Sequence, residues 1–234
     1  ADAYRYVSDI DHMTVTPEAL LDRAYLASRA RLIDRQRAQN FGPGEPPRSG
    51  TVYLCAGDEN GMLVSLIQSN YMGFGSGCVE PGFGISLQNR GHGFSLQPGA
   101  NQVAPGKRPF HTIIPAFLTK DGQPVMSFGV MGGNMQPQGH MQTLVRMIDY
   151  DQSPQAACDA PRWRFNSGLE INVEQQMDKA VVAELSGRGH RMEVINDNYQ
   201  DFGAGQFIWR MGDTSKEGYV VASDARRDGL AAGF

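Results

Sequence analysis

What this sequence lacks narrows its chemistry first. Cysteine is scarce: Cys55, Cys78 and Cys158 are the three in 234 residues. An odd count, with no C-x-x-C pair and no Cys/His metal spacing, argues against a disulfide framework and against a zinc site. The five histidines are scattered, in the manner of structural or surface groups. Excess positive charge is missing as well. Lys and Arg number 21 against 25 Asp and Glu, a net charge of −4, so the basic patch that nucleic acid requires is not expected. No apolar run approaches the ~20 residues of a membrane span. The residues from Ala1 onward show no charged-then-apolar leader, which leaves the compartment open.

Glycine, by contrast, is plentiful. It numbers 28 residues, and the excess clusters at 73–84, 91–93, 129–133 and 203–205, marking turns and close backbone approaches instead of low complexity. Hydrophobic residues make up 41% and charged residues 20%, which suits a globular chain with a real core and argues against disorder. The length fits one large domain or two small ones.

Residues 1–40 read as helical and polar. Thr16-Pro17 is an N-cap followed by proline at the first helical position, and Leu21, Ala24, Tyr25, Ser28 and Leu32 recur at helical spacing. A Pro/Gly-rich linker at 41–50 ends this region. From Thr51 the period becomes two: strands are expected at 51–56 and 63–69 around the turn Asp58-Glu59-Asn60-Gly61. A glycine-rich loop (72–84), a short strand (85–88), and strands at 111–119 and 125–131 follow. Helices are expected at 138–150, from Ser153-Pro154, and at 177–187, with strands near 169–173, 192–195, 206–210 and 219–222. Antiparallel strand runs around two central helices predict an α+β layered sandwich.

Thr51 stands out by its position. It opens a strand directly after a flexible connector, where cleavage of the Gly50–Thr51 bond would give it a free α-amino group. That amine, with a reference pKa of about 7.7–8.0, would serve as base for the residue's own hydroxyl. Taken alone, a strand-opening threonine is ordinary β-propensity. Gly132 and Gly133 end a predicted strand, where consecutive N–H groups can form an oxyanion hole or simply a strand-end turn.

Four segments, in this order, carry a family resemblance: Thr51-Val52-Tyr53, Phe74-Gly75-Ser76-Gly77, Gly106-Lys107-Arg108-Pro109 and Gly129-Val130-Met131-Gly132-Gly133. Ser223-Asp224-Ala225-Arg226 and Ala232-Gly233-Phe234 complete the set. The chain from Thr51 to Phe234 resembles the small, catalytic subunit of the γ-glutamyltransferases (glutathione hydrolases), which are N-terminal-nucleophile hydrolases. Residues 1–50 resemble the tail of the large subunit and the processing linker, with most of the large subunit absent. The resemblance implies a domain at 51–234 and a partial four-layer αββα sandwich. It implies Thr51 as an autoproteolytically exposed nucleophile, Ser69 as its assisting hydroxyl, and oxyanion donors at Gly132 and Gly133. No metal or organic cofactor is implied. The partners it implies are a small γ-glutamyl or related amide substrate and the missing large-subunit region, with no nucleic acid and no membrane.

The chain also departs from the family. His111-Thr112 fall where a serine pair binds the substrate α-carboxylate. Arg90 and Gly93 fall where the family places a glutamine and an acidic residue for the α-ammonium. A cation facing an ammonium is electrostatically unfavourable, which sets this chain apart from the family's glutathione recognition. Beside a γ-glutamyl amide hydrolase or acyltransferase, the sequence therefore admits an acylase or amidohydrolase for a substrate without an α-amino group. It also admits a non-catalytic fragment that only binds or folds.

Overall fold

The computed structural model describes residues 2–40, 50–196 and 202–233. The expected processing linker lies outside the described residues, apart from Gly50. Ahead of it come three short helices, α1 (Asp2–Tyr6), α2 (Pro17–Leu21) and α3 (Arg23–Ala30). Thr16 caps α2 as expected, its Oγ1 accepting from Ala19 N–H at 3.2 Å. The single helical stripe from Leu21 to Leu32 does not form. Asp22 interrupts it, ending α2 and capping α3 by accepting from Tyr25 N–H at 2.7 Å. A short carboxylate that competes for backbone N–H groups favours a cap over a helix interior.

The remaining elements alternate strands with three more helices. The strands β1 (Gly50–Gly57), β2 (Leu63–Tyr71), β3 (Val79–Glu80), β4 (Ile85–Ser86), β5 (Ala116–Lys120) and β6 (Gln123–Met131) come first. Helices α4 (Gln136–Ile148) and α5 (Pro154–Asp159) follow. Then come β7 (Trp163–Phe165), β8 (Glu170–Glu174), helix α6 (Lys179–Gly187), β9 (Arg191–Ile195), β10 (Ala204–Arg210) and β11 (Tyr219–Ser223). The content is α+β. β1 and β2 pair as an antiparallel hairpin, and β11-β10-β6-β5 form an antiparallel sheet. Not every strand pair is antiparallel: β8 and β9 run parallel, joined through α6 as a crossover.

Strand β6 explains the layering, because its side chains alternate between two buried faces. Met126, Phe128 and Val130 join Met147, Ala157, Cys158, Phe207 and Ala222 in one apolar core under α4 and α5. Cutting Phe128 back to alanine there would cost about 3–5 kcal/mol. Ser127 and Gly129 face the β1–β2 hairpin instead. Ser127 donates to the Val64 carbonyl at 2.9 Å, and Tyr53 Oη lies 2.6 Å from Ser65 Oγ and 3.3 Å from Ser127 Oγ. Any Cβ at Gly129 would lie 3.0 Å from the Tyr53 ring, so glycine there lets the two layers close. The other face of the hairpin exposes Val52, Leu54, Val64 and Leu66.

The strand expected at 111–119 starts only at Ala116. Pro115 has no N–H for a ladder, and the residues before it bond elsewhere: Thr112 Oγ1 donates to the Gly133 carbonyl at 2.7 Å, and Ile114 N–H to Gln136 Oε1 at 3.0 Å. His111 and Thr112 therefore lie on an irregular segment stitched to the end of β6.

Candidate active site

The site begins at the first pairs of the β1–β2 hairpin. Thr51 stands opposite Ser69, and Gly50 pairs with Tyr71, so the register slips between Gly50 and Thr51 and leaves Asn70 as an extra residue. Facing pairs put both hydroxyls on one side, with Thr51 Oγ1 2.9 Å from Ser69 Oγ. Ser69 Oγ also accepts from Tyr71 N–H at 3.0 Å. Tyr71 is buried and holds a left-handed backbone, φ 78°, an uncommon conformation for a bulky residue.

The packing of β1 on β6 sets what Thr51 faces. Tyr53 lies against Gly129. Further along β1, a Cβ at Gly57 would meet Ile208, which is paired with Ser127 on β6. The two strands thus pass in opposite senses. Two residues back from Tyr53 is Thr51; two residues on from Gly129 is Met131, followed by Gly132 and Gly133. Both glycine carbonyls are engaged, Gly132 O by Met135 N–H at 3.0 Å and Gly133 O by Thr112 Oγ1 at 2.7 Å. Their φ angles of 130° and 59° are ones that side-chain-bearing residues rarely adopt.

A buried ionic network props this turn from behind. Gly132 leaves no room for a Cβ, which would lie 2.9 Å from Gly203 Cα. Arg162 holds that glycine, donating to the Phe202 and Gly203 carbonyls at 3.1 and 3.2 Å and to Asp224 Oδ2 at 2.7 Å. Asp224 also accepts from Gly205 N–H at 2.9 Å and from Arg226 at 3.0 Å, and Arg226 pairs with the buried Glu174. Burial alone would raise the Asp224 pKa; the Arg162 and Arg226 charges outweigh it and hold the carboxyl below its ordinary value. On the helix side, His140 Nε2 accepts from Val130 N–H at 2.9 Å. Burial pushes that imidazole down to about 4.

Arg90 and His111 sit on the other flank. The Arg90 guanidinium lies over the Tyr71 ring, 5.2 Å from its centroid. His111 is held below its ordinary pKa by desolvation and by the Arg90 and Arg108 charges. Arg108 is tied to the N-terminal arm: its backbone N–H and its guanidinium donate to Asp9 at 2.9 and 2.8 Å. The guanidinium keeps the Asp9 carboxyl far below the usual range.

The family follows from comparison with known proteins. The sequence model of the family described as gamma-glutamyltranspeptidase matches residues 1–234. The chain belongs to the gamma-glutamyltranspeptidase family. It is 37% identical to an oxamate amidohydrolase proenzyme from Klebsiella pneumoniae, over 98% of this chain and 44% of that protein. It is 36% identical to a glutathione hydrolase-like YwrD proenzyme from Bacillus subtilis, over 93% of this chain and 42% of that protein. Among solved structures, a cephalosporin acylase from Bacillus halodurans matches all of this chain and 42% of its own, at 46% identity and a TM-score of 0.90. A gamma-glutamyltranspeptidase from Pseudomonas nitroreducens, complexed with L-DON, matches 78% of this chain and 98% of its own, at 25% identity and a TM-score of 0.68. The chain thus spans less than half the length of the curated relatives it matches most fully.

Within this family member, Thr51 and Ser69 are in direct contact, and Thr112 is bonded to the Gly133 carbonyl just beyond β6. Arg90 is linked through Tyr71, and His111 lies beside Thr112. The sequence reading missed Tyr71, Arg162 and Gly203 as supports. The glycine cluster at 203–205 and the Asp224–Arg226 motif were visible signals for the last two. Nothing in the residues themselves marks Tyr71 as left-handed.

Proposed function

We propose that this chain is the catalytic part of an amide hydrolase or acyltransferase in which Thr51, freed by cleavage after Gly50, is the nucleophile. The observation that carries the reading is the Thr51–Ser69 hydroxyl pair at 2.9 Å, on a strand that packs through Tyr53 against Gly129 of β6. Thr51 Oγ1 attacks the acyl carbonyl and gives its proton to the α-amino group, while Ser69 holds the hydroxyl in place. The Gly132 and Gly133 N–H groups stabilise the oxyanion, a donor being worth about 3–4 kcal/mol in such sites. Collapse of the tetrahedral adduct passes the proton to the departing amine and leaves an acyl ester on Thr51. Water, or an acceptor amine, then releases the acyl group. Every step uses groups of the chain, so no metal or organic cofactor is required.

The domain boundary belongs to the same proposal. Residues 1–50 form an arm and processing linker, and 51–234 form the catalytic domain. Support comes from the Pseudomonas nitroreducens structure, whose near-complete chain matches the share of this chain that 51–234 makes up. The relatives named proenzymes support processing. The exposed Val52, Leu54, Val64 and Leu66 give the missing large-subunit region a face to cover, which would complete a four-layer αββα sandwich. The names of the relatives range over a glutathione hydrolase-like protein, an oxamate amidohydrolase and an acylase, so γ-glutamyl specificity is one option within the reading.

Intact-mass measurement of the full-length protein tests it. Two fragments divided after Gly50 are expected, with amidase activity, and Thr51→Ala should give one uncleaved and inactive chain. An active enzyme with the 50–51 bond intact would overturn the reading.

A further inference from the structure

The arm ahead of the linker holds the rest of the chain at two places, and one of them leads to the Gly132–Gly133 turn. Asp9 opens a single 3₁₀ turn, Ile10–His12, and its side chain is 4% exposed. Both carboxylate oxygens grip one residue 99 positions away. Oδ2 accepts from the Arg108 backbone N–H at 2.9 Å, and Oδ1 from the Arg108 guanidinium at 2.8 Å. The Arg108 side chain is 68% exposed, so the ion pair by itself fixes little. The backbone bond is the informative half, because a buried, ionised acceptor on a main-chain N–H fixes where that chain runs.

The stretch that Asp9 grips has no ladder of its own. Residues 107–115 belong to no helix or strand, and bonds at alternate residues set their path instead. Asp9 takes the Arg108 N–H, and Asn101 Oδ1 takes the Phe110 N–H at 2.7 Å. Thr112 Oγ1 donates to the Gly133 carbonyl at 2.7 Å, and Ile114 N–H donates to Gln136 Oε1 at 3.0 Å. Of these partners, Asp9 alone lies before Gly50. The arm's second hold is elsewhere, at the end of α6. Arg188 Nη1 donates to the Arg35 carbonyl at 2.6 Å, and the Arg188 carbonyl accepts from Ala38 N–H at 2.7 Å.

We propose that Asp9 is a positioning residue that works across the cleavage site: from the arm it sets the path of residues 108–112 and, through Thr112, the place of Gly133. The arm is then a working part of the processed site and not a remnant of processing. The effect on turnover rests on the amide-cleaving reading above, whereas the effect on the turn does not.

Three variants of the full-length protein decide it: Asp9→Ala, Asp9→Asn, and Arg188→Ala, which loosens the other hold and leaves 108–112 alone. Amide hydrogen exchange is read over 108–114 and 131–136. Steady-state kinetics are read on the processed enzyme with γ-glutamyl and glutaryl p-nitroanilides. Asp9→Ala is expected to speed exchange in both windows by about tenfold, the equivalent of one hydrogen bond to a charged group. It should lower kcat by a similar factor, with KM moving less. Asp9→Asn, which keeps an oxygen for the Arg108 N–H, should recover part of both effects, and Arg188→Ala should match the wild type in both. If Asp9→Ala does not fold, Asp9→Asn set against Arg188→Ala carries the same comparison. Unchanged exchange over 131–136 in the Asp9 variants, or an equal change in Arg188→Ala, overturns the assignment. A wild-type chain that stays uncleaved at 50–51 and inactive overturns the amidase reading, and exchange alone then judges Asp9.

Discussion

Ser69 stands across the hairpin from Thr51 with their side-chain oxygens 2.9 Å apart, and the same serine oxygen accepts the Tyr71 N–H. That N–H bond orients the serine hydroxyl, so on the proposed reading Ser69 would position Thr51 from a fixed point. Ser69→Ala removes this contact while leaving the ladder intact. The expected outcome is a loss of about ten- to a hundredfold in kcat, the range for one hydrogen bond to a group that develops charge. KM should change little, since Ser69 contacts Thr51 and not the far end of the acyl group. Steady-state kinetics with processed Ser69→Ala enzyme checks this, and an unchanged kcat would remove Ser69 from the site.

Much of this arrangement was legible in the residues, and the reasons for the exceptions are physical. Thr51 and Ser69 lie on strands, and the Gly132–Gly133 turn directly follows one, whose period-two pattern packing did not override. Ser153 and Thr16 were readable as caps because each accepts from an N–H three residues on. The single helix over 21–32 was misread because its apolar spacing conceals Asp22, whose local bond to Tyr25 competes with helix continuation. The strand before Ala116 failed at Pro115 and at bonds made to residues some 20 positions away. The parallel β8–β9 pairing depends on where α6 carries the chain, which is a tertiary fact. Sequence pattern also has no way to show that Arg162 is buried, since its partners Phe202, Gly203 and Asp224 are remote along the chain.

Gly203 is the tightest point behind the candidate oxyanion turn. An added Cβ would lie 2.1 Å from the Met131 carbonyl oxygen, at a φ of 69°. Gly203→Ala therefore combines a backbone penalty of about 1–2 kcal/mol with overpacking of about 1–3 kcal/mol. Denaturant unfolding should show the sum as a lowered midpoint. The shift should also move Gly132, so activity should fall further than in Gly187→Ala, a helix-end site where a Cβ meets nothing within 4 Å. Equal stability in the two variants would refute the packing account.

Arg162 and Asp224 form a buried ion pair at 2.7 Å, with side chains 1% and 0% exposed. Removing one partner leaves an uncompensated buried charge, which costs about 3–5 kcal/mol. Asp224→Asn should therefore destabilise strongly, and Arg162→Met likewise. The double replacement should cost less than the sum of the two, because neither charge is then stranded. A double-mutant cycle by chemical denaturation measures this coupling, and simple additivity would mean that the pair contributes nothing beyond its separate contacts.

His140 gives the molecule a calculable response to acid. Its Nε2 must be unprotonated to accept the Val130 N–H, and burial pushes the pKa from 6.5 down to about 4. The unfolded chain, with histidine near 6.5, binds more protons than the folded chain between those values, so stability rises with pH across that window. Coming down from neutrality, loss begins near pH 6.5 and is complete below about 4, amounting to on the order of 3 kcal/mol. His140→Gln keeps an acceptor near the same place and cannot titrate. Urea unfolding at pH 7 and pH 4.5 should show a larger drop for the wild type than for His140→Gln, the other titrating groups being common to both. Parallel drops would mean that the imidazole is not the titrating group. Because Val130 lies on β6 two residues before Gly132, the wild type should also lose activity in this window ahead of global unfolding, and the glutamine variant should lose less.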